Sequence, residues 1–456
     1  MQQAIDKKDW YLSAFEGFEK RLNGKSASPL HSARKSAIAR FAEIGFPTPR
    51  DEEWRYTNLA PILRNAFRPV TDYDPGGVTA GQLEPFSFKG LACIELVFVN
   101  GHYAPELSSP RPLPKGVQVS SLAAALDATP EAVEAHLARY VRLDGGAAPM
   151  RDHHAFAALN TAFMQDGAFV HLPKGAVLET PIHLLFVSTV RGEATVSHPR
   201  NLILAEAGSR ATLFESYVGP KEDVYLTNAV TEIVLGENAA LDSYKLQRES
   251  REGFHIARSH AHLSRNSAFS SHVISLGGAL VRNEVTAILD GEGGTATLNG
   301  FSLLEGRQHV DNHTWIEHVK PHCTSRELYK GIMDGASTGV FRGRIFVHQE
   351  AQKTDAIQSN RTLVLSDDAR ITTKPQLEIY ADDVKCTHGA TVGRLDQNAI
   401  FYLRSRGIGL EAARQILIQA FANEILDLVR VEPVRAQLER LVSQQLEAGR
   451  RAREAR

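Results

Sequence analysis

A cysteine and a histidine stand two residues apart toward the C-terminus, at Cys386 and His388. In an extended strand, side chains two positions apart lie on the same face, so the thiol and the imidazole would project together. Both groups bind transition metals, the cysteine as a thiolate and the histidine through a neutral ring nitrogen. The spacing is therefore compatible with a metal site on one strand. The alternative is a small buried cysteine beside a hydrogen-bonded structural histidine.

A second group of potential ligands lies in the polar stretch from Gln308 to Gly331. His309, Asp311 and His313 alternate with other residues, so an extended strand places all three on one face. Their nitrogen and oxygen atoms would then be within reach of a single metal ion. The alternative is a polar strand face that points to water.

Signatures of nucleotide, esterase and zinc-peptidase sites are incomplete or missing. In the phosphate-loop candidate at residues 19–26, Glu19 occupies the position that requires the first glycine. The G-x-S-x-G match at residues 335–339 lies between β-type segments, without the following helix that a nucleophile elbow requires. No H-E-x-x-H motif is present. We therefore expect none of these three chemistries.

The elements that would position these ligands belong to a β-rich middle region. From about residue 168 the segments become short, rich in β-branched and polar residues, and interrupted by Gly, Asn and Asp. A leucine followed by a turn and a second short strand recurs as LPKGAVL from Leu172, LAEAGSRATL from Leu204, LGENAAL from Leu235, LSRNSAF from Leu263 and LDGEGGTATL from Leu289, with LSDDARI from Leu365 as a further copy. The first five copies are separated by 32, 31, 28 and 26 residues. This spacing favours a β-solenoid of stacked turns over an antiparallel sandwich.

Helical patterns flank the β-rich region and divide the chain into four parts. We expect a helical N-terminal region at 1–65, a mixed α/β region at 66–150, a β-helix core at 151–395 and a helical C-terminal region at 396–456. Asp144, Gly145 and Gly146 form a candidate linker. The C-terminal helices carry an apolar stripe, which would either cap the solenoid or dock a partner.

Composition narrows the class and the compartment of the protein. The 456 residues carry a formal net charge of −2, which argues against binding to nucleic acid or a membrane by bulk charge. The three cysteines, Cys93, Cys323 and Cys386, are scattered and form no disulfide framework. No apolar run approaches the roughly 20 residues of a membrane span, and the start lacks the apolar core of a signal peptide. We therefore expect a cytoplasmic protein with no nucleic-acid or membrane partner.

Several blocks resemble the SufB/SufD family of iron–sulfur cluster assembly proteins. The blocks are QHVDNHT at 308–314, HCTSRELYKG at 322–331, GVFRGRI at 339–345, the long block at 351–393 that ends in KCTHGATVG, and FYLRSRGI at 401–408. The last block lacks the cysteine of SufB-type proteins, so the chain resembles SufD more than SufB. Because only Cys323 and Cys386 remain in the matched region, we do not expect it to hold a four-thiolate cluster alone.

The resemblance implies a mainly β fold, a right-handed parallel β-helix flanked by helical N- and C-terminal regions. It further implies a non-catalytic scaffold subunit of a SufBCD complex that pairs with SufB through the β-helix and binds the SufC ATPase through the C-terminal helices. His388, with Cys386 in support, would be a ligand of an iron ion or iron–sulfur cluster shared with the partner. Such a group would be transient and not tightly bound to the isolated chain, which could form a homodimer.

A metal-dependent enzyme of the carbohydrate-active lyase type is the alternative. It would use His309, Asp311 and His313 as its metal site on a β-solenoid. An enzyme of this kind would show activity as an isolated chain and would have a solvent-filled groove lined by acids and bases.

Overall fold

The structure is a computed structural model that describes residues 2–22, 29–88, 90–141, 154–190, 192–220 and 222–454. Its helices are α1 (Gln2–Arg21), α2 (Pro29–Ile44), α3 (Ala60–Leu63), α4 (Ala80–Leu83), α5 (Leu122–Ala128), α6 (Pro130–Glu134), α7 (Ala155–Phe163), α8 (Gln397–Ser405), α9 (Leu410–Leu426) and α10 (Glu432–Glu454). The candidate linker at residues 144–146 lies outside the described residues. None of the helices in the described ranges is long and apolar enough to cross a membrane.

The strands make up most of the remaining chain. They are β1 (Arg68–Pro69), β2 (Ile94–Val99), β3 (His102–Tyr103), β4 (Gln118–Ser121), β5 (Ala168–Leu172), β6 (Ile182–Val187), β7 (Thr195–Ser197), β8 (Arg200–Ala205), β9 (Arg210–Val218), β10 (Tyr225–Leu235), β11 (Ala240–Arg248), β12 (Phe254–Leu263), β13 (Ala268–Ser275), β14 (Leu280–Leu289), β15 (Thr295–Leu304), β16 (His309–His318), β17 (Thr324–Met333), β18 (Thr338–Val347), β19 (Asp355–Val364), β20 (Arg370–Ile379) and β21 (Lys385–Gly393).

Two long sheets contain these strands, and from β8 onward successive strands alternate between the two sheets. Sheet A has the order β20-β18-β16-β14-β12-β10-β8-β5-β4, with β1 and β7 beside this path, and sheet B has the order β21-β19-β17-β15-β13-β11-β9-β6-β2-β3. Neighbours from β5 and β6 onward are parallel, as where Phe254 pairs with Leu280 and Thr338 with Arg370. The chain therefore forms a β-solenoid of about eight turns with helices on either side, which confirms the predicted fold class.

The recurring leucines mark the inner corner where sheet A ends. The buried residues stacked there are Leu172, Ala205, Leu235, Leu263 and Leu289. The copy predicted at Leu204 is therefore out of step by one residue, and Leu204 packs instead in an outer cluster with α5. The copy at Leu365 is not equivalent to the others, because it follows β19 of sheet B rather than a strand of sheet A.

Seven passages from sheet A to sheet B, from that between β5 and β6 to that between β18 and β19, each contain one residue in the left-handed backbone conformation, and the passage from β20 to β21 contains none. The residues are Gly175, Gly208, Asn238, Asn266, Gly293, His322 and Lys353, with φ between 53° and 73°. Their amides donate to carbonyls of the next turn, as from Gly208 N to Glu237 O at 2.8 Å and from Asn238 N to Arg265 O at 2.9 Å. Glycine and asparagine tolerate this conformation best, which explains their recurrence in the repeated sequence.

The flanking segments pack onto the outside of the solenoid. In the mixed region, β2 extends sheet B by parallel pairing with β6, and β4 extends sheet A by antiparallel pairing with β5. Aromatic side chains of α1, α2 and α7 form a cluster against the starts of β10, β12 and β14. Helices α9 and α10 cover the outer face of sheet B, where Ile418 and Leu438 join Phe214 and Phe301 in one buried cluster. The C-terminal helices thus lie along the side of sheet B and leave the last turn exposed.

Candidate functional site

The last turn of the solenoid, formed by β20 and β21, is open. Each of these strands pairs with a single described strand, β20 with β18 and β21 with β19. No residue of β20 or β21 is buried, whereas β17 and β18 are mostly buried. Side chains that face the interior of this turn therefore lack a further layer to pack against. We call β20 and β21 the open end.

Cys386 and His388 lie on the open end, on the face of β21 that continues the inner surface. They pair in register with Ala356 and Gln358 of β19, both of which are buried. The Cys386 side chain is half-buried against the solenoid core, while His388 is exposed. Burial raises the pKa of the Cys386 thiol, so the group is protonated at neutral pH unless a cation binds it. The structure thus places both side chains on one strand face, as predicted, and at the surface.

His309, Asp311 and His313 come together on the outer face of sheet A, at β16. Asp311 Oδ1 lies 2.9 Å from His313 Nε2. Asp311 Oδ2 is linked to His309 Nε2 through the hydroxyl of Thr57. Although burial would raise the pKa of Asp311, the charges of His313 and Arg282 hold it well below its usual range. The three side chains are linked through hydrogen bonds, but their polar atoms are already used by one another and by their neighbours.

The neighbours of His309, Asp311 and His313 come from β14 and from the N-terminal segment. Arg282 donates to Asp311 and to the carbonyl of Glu53, and its guanidinium lies 3.9 Å from the ring centre of Trp54. Glu53 also lies 3.5 Å from His313 Nδ1. A metal ion at Asp311 would have to displace a guanidinium, so this arrangement favours docking of the N-terminal segment over the lyase-type alternative.

Sequence reasoning missed a third group, formed by Cys93, Glu95 and His183. Their potential ligand atoms all lie within 4.8 Å of one another. Glu95 on β2 pairs in register with His183 on β6, and Cys93 precedes β2 by one residue. The sequence contains only a Cys-x-Glu spacing as a local signal, because His183 arrives through strand pairing.

The interior of the solenoid also contains charged groups that the sequence did not reveal. Glu215, Lys245, Glu249 and His255 are buried within the first turns. His255 Nδ1 lies 2.8 Å from Glu249 Oε2, and Lys245 Nζ donates to Asn283 Oδ1 at 2.8 Å. Burial lowers the pKa of Lys245 to about 8, despite the opposing charges of Glu215 and Glu249. The core of the solenoid therefore contains charged side chains as well as apolar ones. The hydrophobic pattern of buried parallel strands indicates an apolar core only.

The fold and the site define a β-solenoid protein with potential metal ligands on its exposed last turn. The description "SUF system FeS cluster assembly, SufBD core domain" matches residues 186–421, and "SufBD protein N-terminal region" matches residues 5–184. The chain belongs to the SufBD family of iron–sulfur cluster assembly proteins, and within it resembles SufD.

Relatives along the whole chain agree with this assignment. An iron–sulfur cluster assembly SufBD family protein of Synechocystis is 35% identical over 437 residues, which cover 92% of each chain. The iron–sulfur cluster assembly protein SufD of Escherichia coli is 34% identical over 421 residues, 91% of this chain and 92% of the relative. The protein of the same name from Bacillus subtilis is 28% identical over 445 residues, 94% of this chain and 97% of the relative.

Proposed function

We propose that this chain is a non-catalytic scaffold subunit of a SufBCD-type complex in the cytoplasm, and that its open end pairs with a SufB-type solenoid. The exposure of β20 and β21 is the observation that carries this proposal. Unpaired strand edges readily accept strands of another chain. The exposed apolar side chains of Ile379, Tyr380 and Val392 at the open end would be covered by such a partner.

The ligand role of His388 and Cys386 follows from this pairing. A partner at the open end would bring its own side chains next to these two residues, so an iron ion or a nascent iron–sulfur cluster could be bound by both chains. Clusters use thiolate ligands, and an imidazole in place of one thiolate changes the properties of the site. A site divided between two chains also opens when the chains move apart. Transient binding of the cluster is then a property of the interface, and the isolated chain would hold none tightly.

The C-terminal helices supply the second interaction of the proposal. Phe401 and Tyr402 on α8 are 75% and 57% exposed, and Ile416 on α9 is 46% exposed. Large apolar side chains clustered at the surface mark protein interaction sites. We assign this surface to a SufC-type ATPase, whose nucleotide hydrolysis would move the scaffold subunits relative to each other.

The test is reconstitution with SufB-type and SufC-type partners, comparing the unchanged chain with His388→Ala. We expect a stable complex and visible cluster absorbance that the isolated chain does not develop. Removing a direct ligand should reduce cluster retention at least as much as loss of a supporting residue does, about tenfold or more. Because His388 is exposed, its substitution should leave assembly of the complex intact.

The matched control is Thr387→Ala, which changes an exposed side chain on the opposite face of β21. Its complex should assemble clusters normally. Normal cluster assembly by the His388→Ala complex would contradict the ligand role, and failure of the three unchanged chains to associate would contradict the scaffold role.

A further inference from the structure

We propose that Cys93, Glu95 and His183 form a second metal site, which binds a divalent first-row transition ion such as Zn²⁺ or Fe²⁺. The site lies on β2 and β6, at the opposite end of sheet B from β21. It uses none of the residues proposed for the open end, so its test does not depend on the proposed function.

Strand geometry brings the three ligands to one face. Glu95 and His183 are direct register partners, and Cys93 is two positions before Glu95, so all three point outward from sheet B. Their ligand atoms lie within 4.8 Å of one another. Metal bonds of about 2.0–2.3 Å place tetrahedral ligand atoms about 3.3–3.8 Å apart. Closing the site around an ion therefore shortens the distances between ligand atoms by about 1.5 Å at most, which side-chain movements can supply without movement of the strands.

The histidine is held in place for this role. His183 is fully buried, with Nδ1 2.8 Å from Glu95 Oε2 and Nε2 2.8 Å from Ser216 Oγ. Its ring packs against Phe88 at 4.8 Å between ring centres. With an ion on Nδ1, the proton of the neutral ring would reside on Nε2 and be donated to Ser216. Metal-bound histidines commonly have such a partner, which fixes the ring orientation and the tautomer.

The donor set selects the class of ion. Thiolate and imidazole ligands favour Zn²⁺ and Fe²⁺ over Mg²⁺ and Ca²⁺, which prefer oxygen ligands. Three protein ligands leave a fourth position for water or an exchanging group. Cys93 and Glu95 are only partly buried, so an ion can reach the site from solvent.

Ion binding must release protons here. Burial and the charge of Glu95 raise the pKa of Cys93 to about 11, opposed by Arg111, so the free thiol is protonated. Coordination converts it to a thiolate. Affinity should therefore increase as the pH rises toward the pKa of Cys93, because the thiol proton is then displaced more easily.

The experiment titrates Co²⁺ and Zn²⁺ into the metal-stripped full-length chain, in a Cys386→Ser/His388→Ala background that removes the open-end ligands. We expect one equivalent of Co²⁺ to produce thiolate-to-cobalt charge-transfer absorption, and Zn²⁺ to displace it and raise the unfolding temperature. Cys93→Ser should abolish the absorption, and Glu95→Gln should weaken binding about tenfold or more.

Cys323→Ser serves as the control, because Cys323 is buried elsewhere in the core and donates to the carbonyl of Gly291. It should leave the absorption unchanged. Persistence of the absorption in Cys93→Ser, or absence of cobalt binding in the background protein, would overturn the proposal. Circular dichroism without metal verifies that each variant is folded, and Cys93→Ala replaces Cys93→Ser if the serine variant is not.

Discussion

Arg282 joins three parts of the molecule through one buried guanidinium. It belongs to β14, donates to Asp311 of β16 and to the carbonyl of Glu53, and stacks on Trp54. Its Nε also donates to Glu284 Oε1 at 2.7 Å. A buried charge is tolerated only where its partners compensate for lost hydration, and here each partner depends on the others. This charged cluster thus fixes the part of the N-terminal segment around Glu53 and Trp54 to the solenoid.

Removing Arg282 should therefore be costly. In Arg282→Met, Asp311 stays buried without its guanidinium partner, and the expected loss is about 3–5 kcal/mol in the free energy of unfolding, measured in urea. The control is Arg265→Met, because Arg265 pairs with Glu237 at 3.7 Å on the surface and both side chains are more than half exposed. That change should cost less than about 1 kcal/mol. Equal effects of the two substitutions would contradict this account.

The residue pattern predicted part of this cluster. The alternation of His309, Asp311 and His313 correctly indicated one strand face, because side-chain direction in a strand follows from spacing alone. The pattern could not reveal that the face is occupied by Arg282 and Glu53, since these residues are remote in sequence. The same limit hid His183, which meets Cys93 and Glu95 only through the pairing of β2 with β6.

At the scale of the elements, the left-handed corner residues control how each turn passes from sheet A to sheet B. Gly208 has φ of 73°, and a Cβ there would make ordinary contacts with the backbone of Gly175, at 3.8 Å from Cα and 4.0 Å from N. Gly208→Ala should therefore destabilise the protein through its backbone conformation, by about 1–2 kcal/mol. Chemical unfolding measures the effect.

The control substitution should change the stability of the protein in the opposite direction. Gly17 is exposed within α1 and no atom lies within 4 Å of a Cβ built there, so Gly17→Ala should stabilise the protein by about 0.5–1 kcal/mol. A Gly208→Ala variant as stable as the unchanged protein would show that the corner does not require its observed conformation.

These corners also explain why only some turns were recognised in the sequence. Gly208, Asn238, Asn266 and Gly293 are residue types that favour the left-handed conformation, so the early turns show a repeated signal. His322 and Lys353 adopt the same conformation without that signal, and the corners after β16 and β18 were not identified. Tertiary hydrogen bonds hold those backbones, and a local pattern does not report such bonds.

At the scale of the whole molecule, buried histidines couple stability to pH. Burial lowers the pKa of His198 to about 3 and that of His318 to about 4, and burial together with the charge of Arg430 lowers that of His272 to about 4. In the unfolded chain each imidazole would take up a proton near pH 6.5. Between these values the unfolded state binds more protons, so stability falls as the pH drops from about 6.5 to 4.

Substituting His318 tests this dependence. Across that pH window, each such histidine changes the free energy of unfolding by up to about 1.4 kcal/mol per pH unit. His318→Gln, which can keep a hydrogen bond to Ser325, should therefore be less destabilising at pH 5 than at pH 7.5, by about 2 kcal/mol. Urea unfolding at the two pH values measures the difference. An equal cost at both would mean that His318 does not titrate on unfolding.

The two ends of the solenoid differ, and this difference limits how many solenoids could pair end to end. At the N-terminal end, sheet A finishes in β4 and sheet B in β3, both short and antiparallel to their neighbours, which makes these edges poor templates. Among the described strands, β20 and β21 are the long edges that pair in parallel, whereas the parallel edge strand β1 has two residues, so the proposed pairing of solenoids has one place on each chain. In the proposed pairing, two solenoids joined through their open ends would occupy both of these edges, and a third solenoid would have no long parallel edge to join. Repeating head-to-tail contacts would produce a filament, whereas this arrangement terminates at a pair.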